Sequence, residues 1–85
     1  PTHYAVAIKY DKDSSDAPYV VAKGIDLIAE NIKKVAKEND IPLVENRLLA
    51  RTLYNTIEIG DMITEDLYEA VAEVLAYVYS LKDEF

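Results

Sequence analysis

The sequence predicts one small α/β domain, a thin mixed sheet packed with three helices in the order β-β-α-β-α-α. Three observations carry that reading. Tyr4, Val6 and Ile8 alternate with His3, Ala5, Ala7 and Lys9, and this two-residue period marks a strand. Apolar residues then recur at helical spacing twice, from Ile25 to Ala36 and from Leu67 to Leu81. The length of 85 residues suits a single domain, and a chain so short buries roughly 60–65% of its unfolded surface, so its stability is marginal.

The first strand covers His3 to Tyr10, HYAVAIKY. Asp11 to Pro18, DKDSSDAP, is a polar turn. Tyr19 to Lys23, YVVAK, is a second β-rich run, ended by Gly24. Ile25 to Glu38 is helical, with Ile25, Ile28, Ala29, Ile32, Val35 and Ala36 on one stripe. Asn39 is its expected left-handed stop. Ile41 to Val44, IPLV, is a third strand, so that strand two, helix one and strand three form a right-handed parallel crossover. Asn46 caps a helix from Arg47 to about Thr56, with Leu49 and Leu53 four apart. Glu58 to Ile63, with Gly60, is a connector. Thr64 caps the last helix, with Glu65 and Asp66 in its favourable first turn. Leu67, Val71, Val74, Leu75, Val78 and Leu81 form its buried stripe. Three strands leave the outer edge of the first one open and apolar. Open edges of that kind are covered or charged, so a missing strand from upstream residues is expected.

Composition excludes several classes. The net charge of −7 argues against nucleic acid, because a phosphate backbone needs a Lys/Arg patch. The absence of cysteine removes disulfides and thiolate zinc sites. No stretch reaches the roughly 18 apolar residues of a spanning helix, and no signal peptide is visible. Asp11, Asp13, Ser15 and Asp16 suggest a calcium loop, but Asp16 and Ala22 stand where an EF-hand needs Gly and Glu. A solvated loop fits better. His3, the one histidine, lacks the companion ligands of a zinc site. Gly24 and Gly60 stand alone, so there is no phosphate-cradling loop, and no carboxylate pair lies in an apolar run. The seven tyrosines lack the basic interleaving of a stacking surface and suit core edges with a wet hydroxyl. On the last helix Tyr68, Ala72, Leu75 and Tyr79 form a second apolar strip, open to two readings: packing against the middle helix, or a groove for a peptide. Ala17 and Pro18 form a small apolar bump that could border the same surface.

Pro1 raises the chemistry. An N-terminal proline is a secondary amine and can serve as a catalytic base, as in small tautomerases, but only Thr2 and His3 stand beside it in this acidic chain. The other route is a cut. An asparagine preceding a proline can attack its own main-chain carbonyl with its side-chain amide. The ring closes to a succinimide, the bond to the proline nitrogen breaks, and that nitrogen takes up a proton. Proline restricts the residue before it, a strained turn can hold the reactive geometry, and a nearby histidine can assist proton transfer.

Pro1-Thr2-His3 resembles the last three residues of the N-P-T-H self-cleavage motif of the FlhB/YscU family of flagellar and type III secretion export-switch proteins. VVAKG (Val20 to Gly24), IPLVEN (Ile41 to Asn46), LARTLY (Leu49 to Tyr54), EIG (Glu58 to Gly60) and YEAVAEVLAYVY (Tyr68 to Tyr79) are similar to that family's cytoplasmic domain, in order along the whole chain. VVAKG and EIG look more like the flagellar branch. The resemblance implies a C-terminal cleavage fragment, its sheet completed by a strand of the upstream fragment. It implies a soluble domain at the cytoplasmic face of the bacterial inner membrane, anchored through membrane helices of the full protein. Pro1, Thr2 and His3 would be the cleavage loop. Pro1 supplies the leaving nitrogen, and Thr2 and His3 shape the turn and assist proton transfer. Ala17, Pro18, Ala72 and Leu75 would take export substrates. The implied partners are the upstream fragment, rod and hook subunits, a hook-length ruler protein and other export-gate components, with no cofactor, no metal and no nucleic acid. The implied role is to dock substrates and, after cleavage, to help switch export from rod and hook to filament subunits. Cleavage happens once per molecule, so the domain is not expected to be an enzyme. A Pro1 tautomerase and a generic adaptor domain are the alternatives.

Overall fold

The computed structural model describes residues 2–11, 13 and 17–83. Two strands, β1 (Tyr4–Lys9) and β2 (Tyr19–Ile25), pair antiparallel with Tyr4 opposite Ile25 and Lys9 opposite Tyr19. Helices α1 (Asp26–Glu38), α2 (Arg47–Thr56) and α3 (Tyr68–Asp83) follow, the last entered through a 3₁₀ turn at Glu65–Leu67. The mixed α/β class is as the sequence predicts.

The two faces of the ribbon follow from the alternation of β1. Val6 and Ile8 pack on a cluster of Val20, Leu49, Leu53, Ile57, Ile63 and Val71, and Tyr4 meets Tyr54 edge to face at 5.5 Å. That face belongs to α2 and α3. Ala5 and Ala7 point the other way, where α1 crosses both strands. Small residues allow the close approach, since Ala5, Ala29 and Ala36 are buried. A β-bulge between Ala7 and Ile8 shifts the register, so that Ile8 faces Val20 while Ala7 faces Ala22. It puts Val20, fully buried, on the α2 face beside Lys23, and leaves Val21 exposed.

The third strand expected at Ile41–Val44 is not formed. Among the described residues the sheet has two strands. The Ile41 N–H donates to Ala36 C=O at the end of α1, and Ile41, Leu43 and Val44 stay exposed. A strand needs a neighbouring ladder, and no described segment lies alongside this one, so the parallel crossover is absent too. Beyond β2 the connector supplies backbone partners. Val20 N–H donates to Asp61 C=O (3.1 Å), Gly60 N–H to Val20 C=O (2.7 Å) and Ile63 N–H to Pro18 C=O (2.8 Å).

Three smaller expectations also change. Gly24 does not end β2, which runs on through Ile25. Asn39 is not left-handed (φ −109°); Asp40 takes that conformation (φ 56°), while the Asn39 side-chain amide donates to Val35 C=O. Thr64 makes no side-chain cap; its hydroxyl donates to the Asp66 carboxylate. Asn46 caps α2 as expected, accepting from Leu49 N–H at 3.1 Å.

Candidate functional site

The Thr2–His3 segment is held from two sides. Asp26 opens α1 in the left-handed region (φ 46°), which Asp tolerates better than most residues. Its Oδ1 accepts from Thr2 N–H (3.2 Å), His3 N–H (3.2 Å) and Thr2 Oγ1 (3.4 Å). Its own N–H donates to His3 C=O at 3.0 Å. The N–H groups of His3 and then of Thr2 hold the Asp26 carboxyl below its usual range, because they stabilise the ionised form. From the α2 side, Arg47 Nη2 donates to Thr2 C=O at 2.9 Å. Thr2 Oγ1 lies 3.0 Å from His3 Nδ1, and that nitrogen lies 3.9 Å from Asp26 Oδ1. Both partners of Thr2 and His3 thus come from the first residues of helices.

The expected cleavage residues are only partly in view. Pro1 lies outside the described residues. Thr2 and His3 are exposed yet fully engaged through their backbone. Asp26 and Arg47 were not singled out by sequence reasoning. They lie 24 and 45 residues from Thr2, and no spacing rule reaches that far. The available signal was an Asp at the start of a helix with no capping residue before it. Arg47 and Arg51 also line a shallow cleft with Thr2, Tyr4 and Leu48.

The four residues expected to take substrate fall in two places around one cluster. Pro18, half-buried, accepts from Ile63 N–H, and Ala17 before it is buried at 4% exposure. Leu75 packs on the cluster that contains Ile63 and Val71, while Ala72 is exposed. Pro18 is bonded to Ile63, a member of the cluster on which Leu75 packs, while Ala72 is exposed and Ala17 is buried. Tyr68 (44%) and Tyr79 (47%) remain exposed with Ala72, so α2 does not cover that strip.

Among the described residues no cluster of His, Cys, Asp or Glu could hold a metal ion. Of the calcium-like residues, Asp11 and Asp13 are described, while Ser15 and Asp16 lie outside the described residues. No described helix is long and apolar enough to cross a membrane.

The model of the FlhB HrpN YscU SpaS family matches residues 1–78. Flagellar biosynthetic protein FlhB of Bacillus subtilis is 54% identical over 84 residues, 99% of this chain and 23% of that protein. The Escherichia coli protein of the same name is 52% identical over 82 residues, 96% of this chain and 22% of that protein. The chain thus spans under a quarter of the length of these relatives. The cytoplasmic domain of FlhB from Shewanella putrefaciens superposes with a TM-score of 0.88 at 49% identity, covering 93% of this chain and 64% of that one. The PscU C-terminal domain gives 0.88 at 35% identity, covering 92% and 99%.

Proposed function

The chain belongs to the FlhB HrpN YscU SpaS family, and on that premise we propose that it is the cytoplasmic part of a flagellar protein-export component. It docks export substrates, cleaves itself once before Pro1, and after cleavage takes part in the change from rod and hook to filament subunits. It is not a turnover enzyme. The observation that carries the cleavage reading is the grip of Asp26 and Arg47 on the Thr2–His3 peptide. Anchoring the Thr2–His3 backbone restrains the chain that follows the proposed scissile bond, and restraint of that kind favours intramolecular attack.

The upstream fragment is the proposed partner of the sheet. β1 offers its outer edge, and Ile41–Val44 runs exposed from the end of α1 back to Arg47, which touches Thr2. A strand leading through a tight turn into Pro1 runs antiparallel to β1 and parallel to Ile41–Val44. In this proposal it lies between them, giving the order β2, β1, upstream strand, Ile41–Val44. The hook-length ruler and other export-gate components are partners of the same proposal, and the cytoplasmic face of the inner membrane is its place. The experiment is an intact mass. The chain is expressed with its native upstream residues, beside a version with Asn→Ala immediately before Pro1. Two fragments from the first and one chain from the second are expected; one uncut chain from both would refute self-cleavage.

Arg47 and Arg51 beside Thr2 favour one second reading, a Pro1 tautomerase whose arginines bind an acidic substrate. Covalent capture of an α-keto acid analogue at the Pro1 amine tests it, and no capture with no turnover of enols excludes it.

A further inference from the structure

From Thr52 to Leu81 the sequence has no Lys, Arg or His, yet it carries Glu58, Asp61, Glu65, Asp66, Glu69 and Glu73. Glu58 lies 3.8 Å from the Lys23 ammonium. Among the described residues the other five carboxylates have no basic partner. Glu65, Glu69 and Glu73 lie along one flank of the apolar stripe already described. Tyr68, Ala72 and Tyr79 are exposed and Leu75 is half-exposed along one stripe of α3, and Met62 (56%) stands exposed on the connector that joins β2. Glu69 and Glu73 each follow a stripe residue by one position, which sets them on the flank about 100° round the helix. Glu65 lies one turn before Tyr68, and Asp61 sits beside Met62.

We propose that this surface takes a short apolar polypeptide segment flanked by lysine or arginine, rather than any apolar segment. The inference rests on the docking reading above and narrows its substrate class. An apolar stripe alone attracts any greasy partner. A stripe bordered by unpaired carboxylates disfavours acidic ones and favours basic ones, since complementary charge sets specificity and encounter rate. A second copy of this chain is a poor occupant, because two acidic surfaces would face each other. Nucleic acid is excluded by the same sign.

The test uses the full-length protein with its cleavage fragments retained, and two labelled peptides followed by fluorescence anisotropy. One has a central phenylalanine flanked by lysines; its partner has glutamines at those positions. The lysine peptide should bind roughly 10-fold tighter at low salt, and the two should converge near 1 M salt, where the Debye length is about 3 Å. Glu69→Gln with Glu73→Gln should remove most of the difference while leaving the glutamine peptide unchanged. Ala72→Gln, a neutral helix-compatible change at an exposed position, should weaken both peptides. Circular dichroism of each variant checks the fold. Equal binding of the two peptides would overturn the charge inference and leave docking intact. Binding indifferent to Ala72→Gln would remove the stripe as the site. No binding of either peptide would defeat the docking reading and the inference together.

Discussion

Lys23 lies on the α2 face of β2, and its ammonium donates to Tyr54 C=O (2.9 Å) and Ile57 C=O (3.0 Å), two carbonyls at the end of α2. Its nitrogen also lies 5.0 Å from the Tyr54 ring. The side chain is 15% exposed, so these bonds face little competition from water. Lys23→Met keeps most of the stem and loses the charge-assisted bonds. It should cost about 1.5–3 kcal/mol, read as a lower urea midpoint; an unchanged midpoint would contradict the capping role. Asp26 makes a different prediction. Its folded carboxyl is depressed by the His3 and Thr2 N–H groups. Its contribution is therefore whole above the ordinary value of about 3.9 and is lost as pH falls through the depressed one. A carbon NMR titration should place the Asp26 midpoint below that value. Asp26→Asn should flatten the acid limb of the stability curve below about pH 4, and superimposable limbs would refute the grip.

At the scale of elements, Gly24 is where α1 sits down on the ribbon. A Cβ built there would collide with the Ile28 side chain and press on its backbone carbon. Gly24→Ala should therefore cost about 1–3 kcal/mol by overpacking, measurable as a drop in Tm. Gly60 is the contrasting case. It has φ 92° and open space around its Cα, so Gly60→Ala would meet conformational strain alone, about 1–2 kcal/mol. A neutral result there would mean that the connector simply relaxes. Most elements were legible in the sequence for local reasons. The alternation of Tyr4, Val6 and Ile8, the stripe of α1 and the Asn46 cap each need only neighbouring residues. The strand expected at Ile41–Val44 is not formed among the described residues, because its apolar residues satisfy a strand pattern while no described segment supplies its hydrogen-bond partner. Thr64 makes no side-chain cap; its hydroxyl bonds the Asp66 carboxylate, a partner that a cap pattern does not anticipate.

For the molecule as a whole, the open edge of β1 and the exposed Ile41, Leu43 and Val44 lead to a stability prediction. If the proposed upstream strand pairs with β1, the 85-residue chain should unfold at lower denaturant, or aggregate more, than the same chain extended by residues preceding Pro1, because an unpaired apolar edge invites other strands. Equal midpoints would contradict the upstream strand.

The residues by themselves determined the α/β class, two of the three helix starts to within a residue, and the apolar strip of α3, since periodicity and caps are local properties of the chain. The Pro-Thr-His triplet likewise marked where to look for chemistry. Only the tertiary structure decided what holds Thr2 and His3. Asp26 and Arg47 reach Thr2 because α1 and α2 both begin at the same end of β1, a meeting that depends on how the helices cross the ribbon. The tertiary structure also decided that Ala17 is buried and Ala72 exposed. Burial is settled by what packs above a residue, and a one-dimensional pattern does not contain that neighbour.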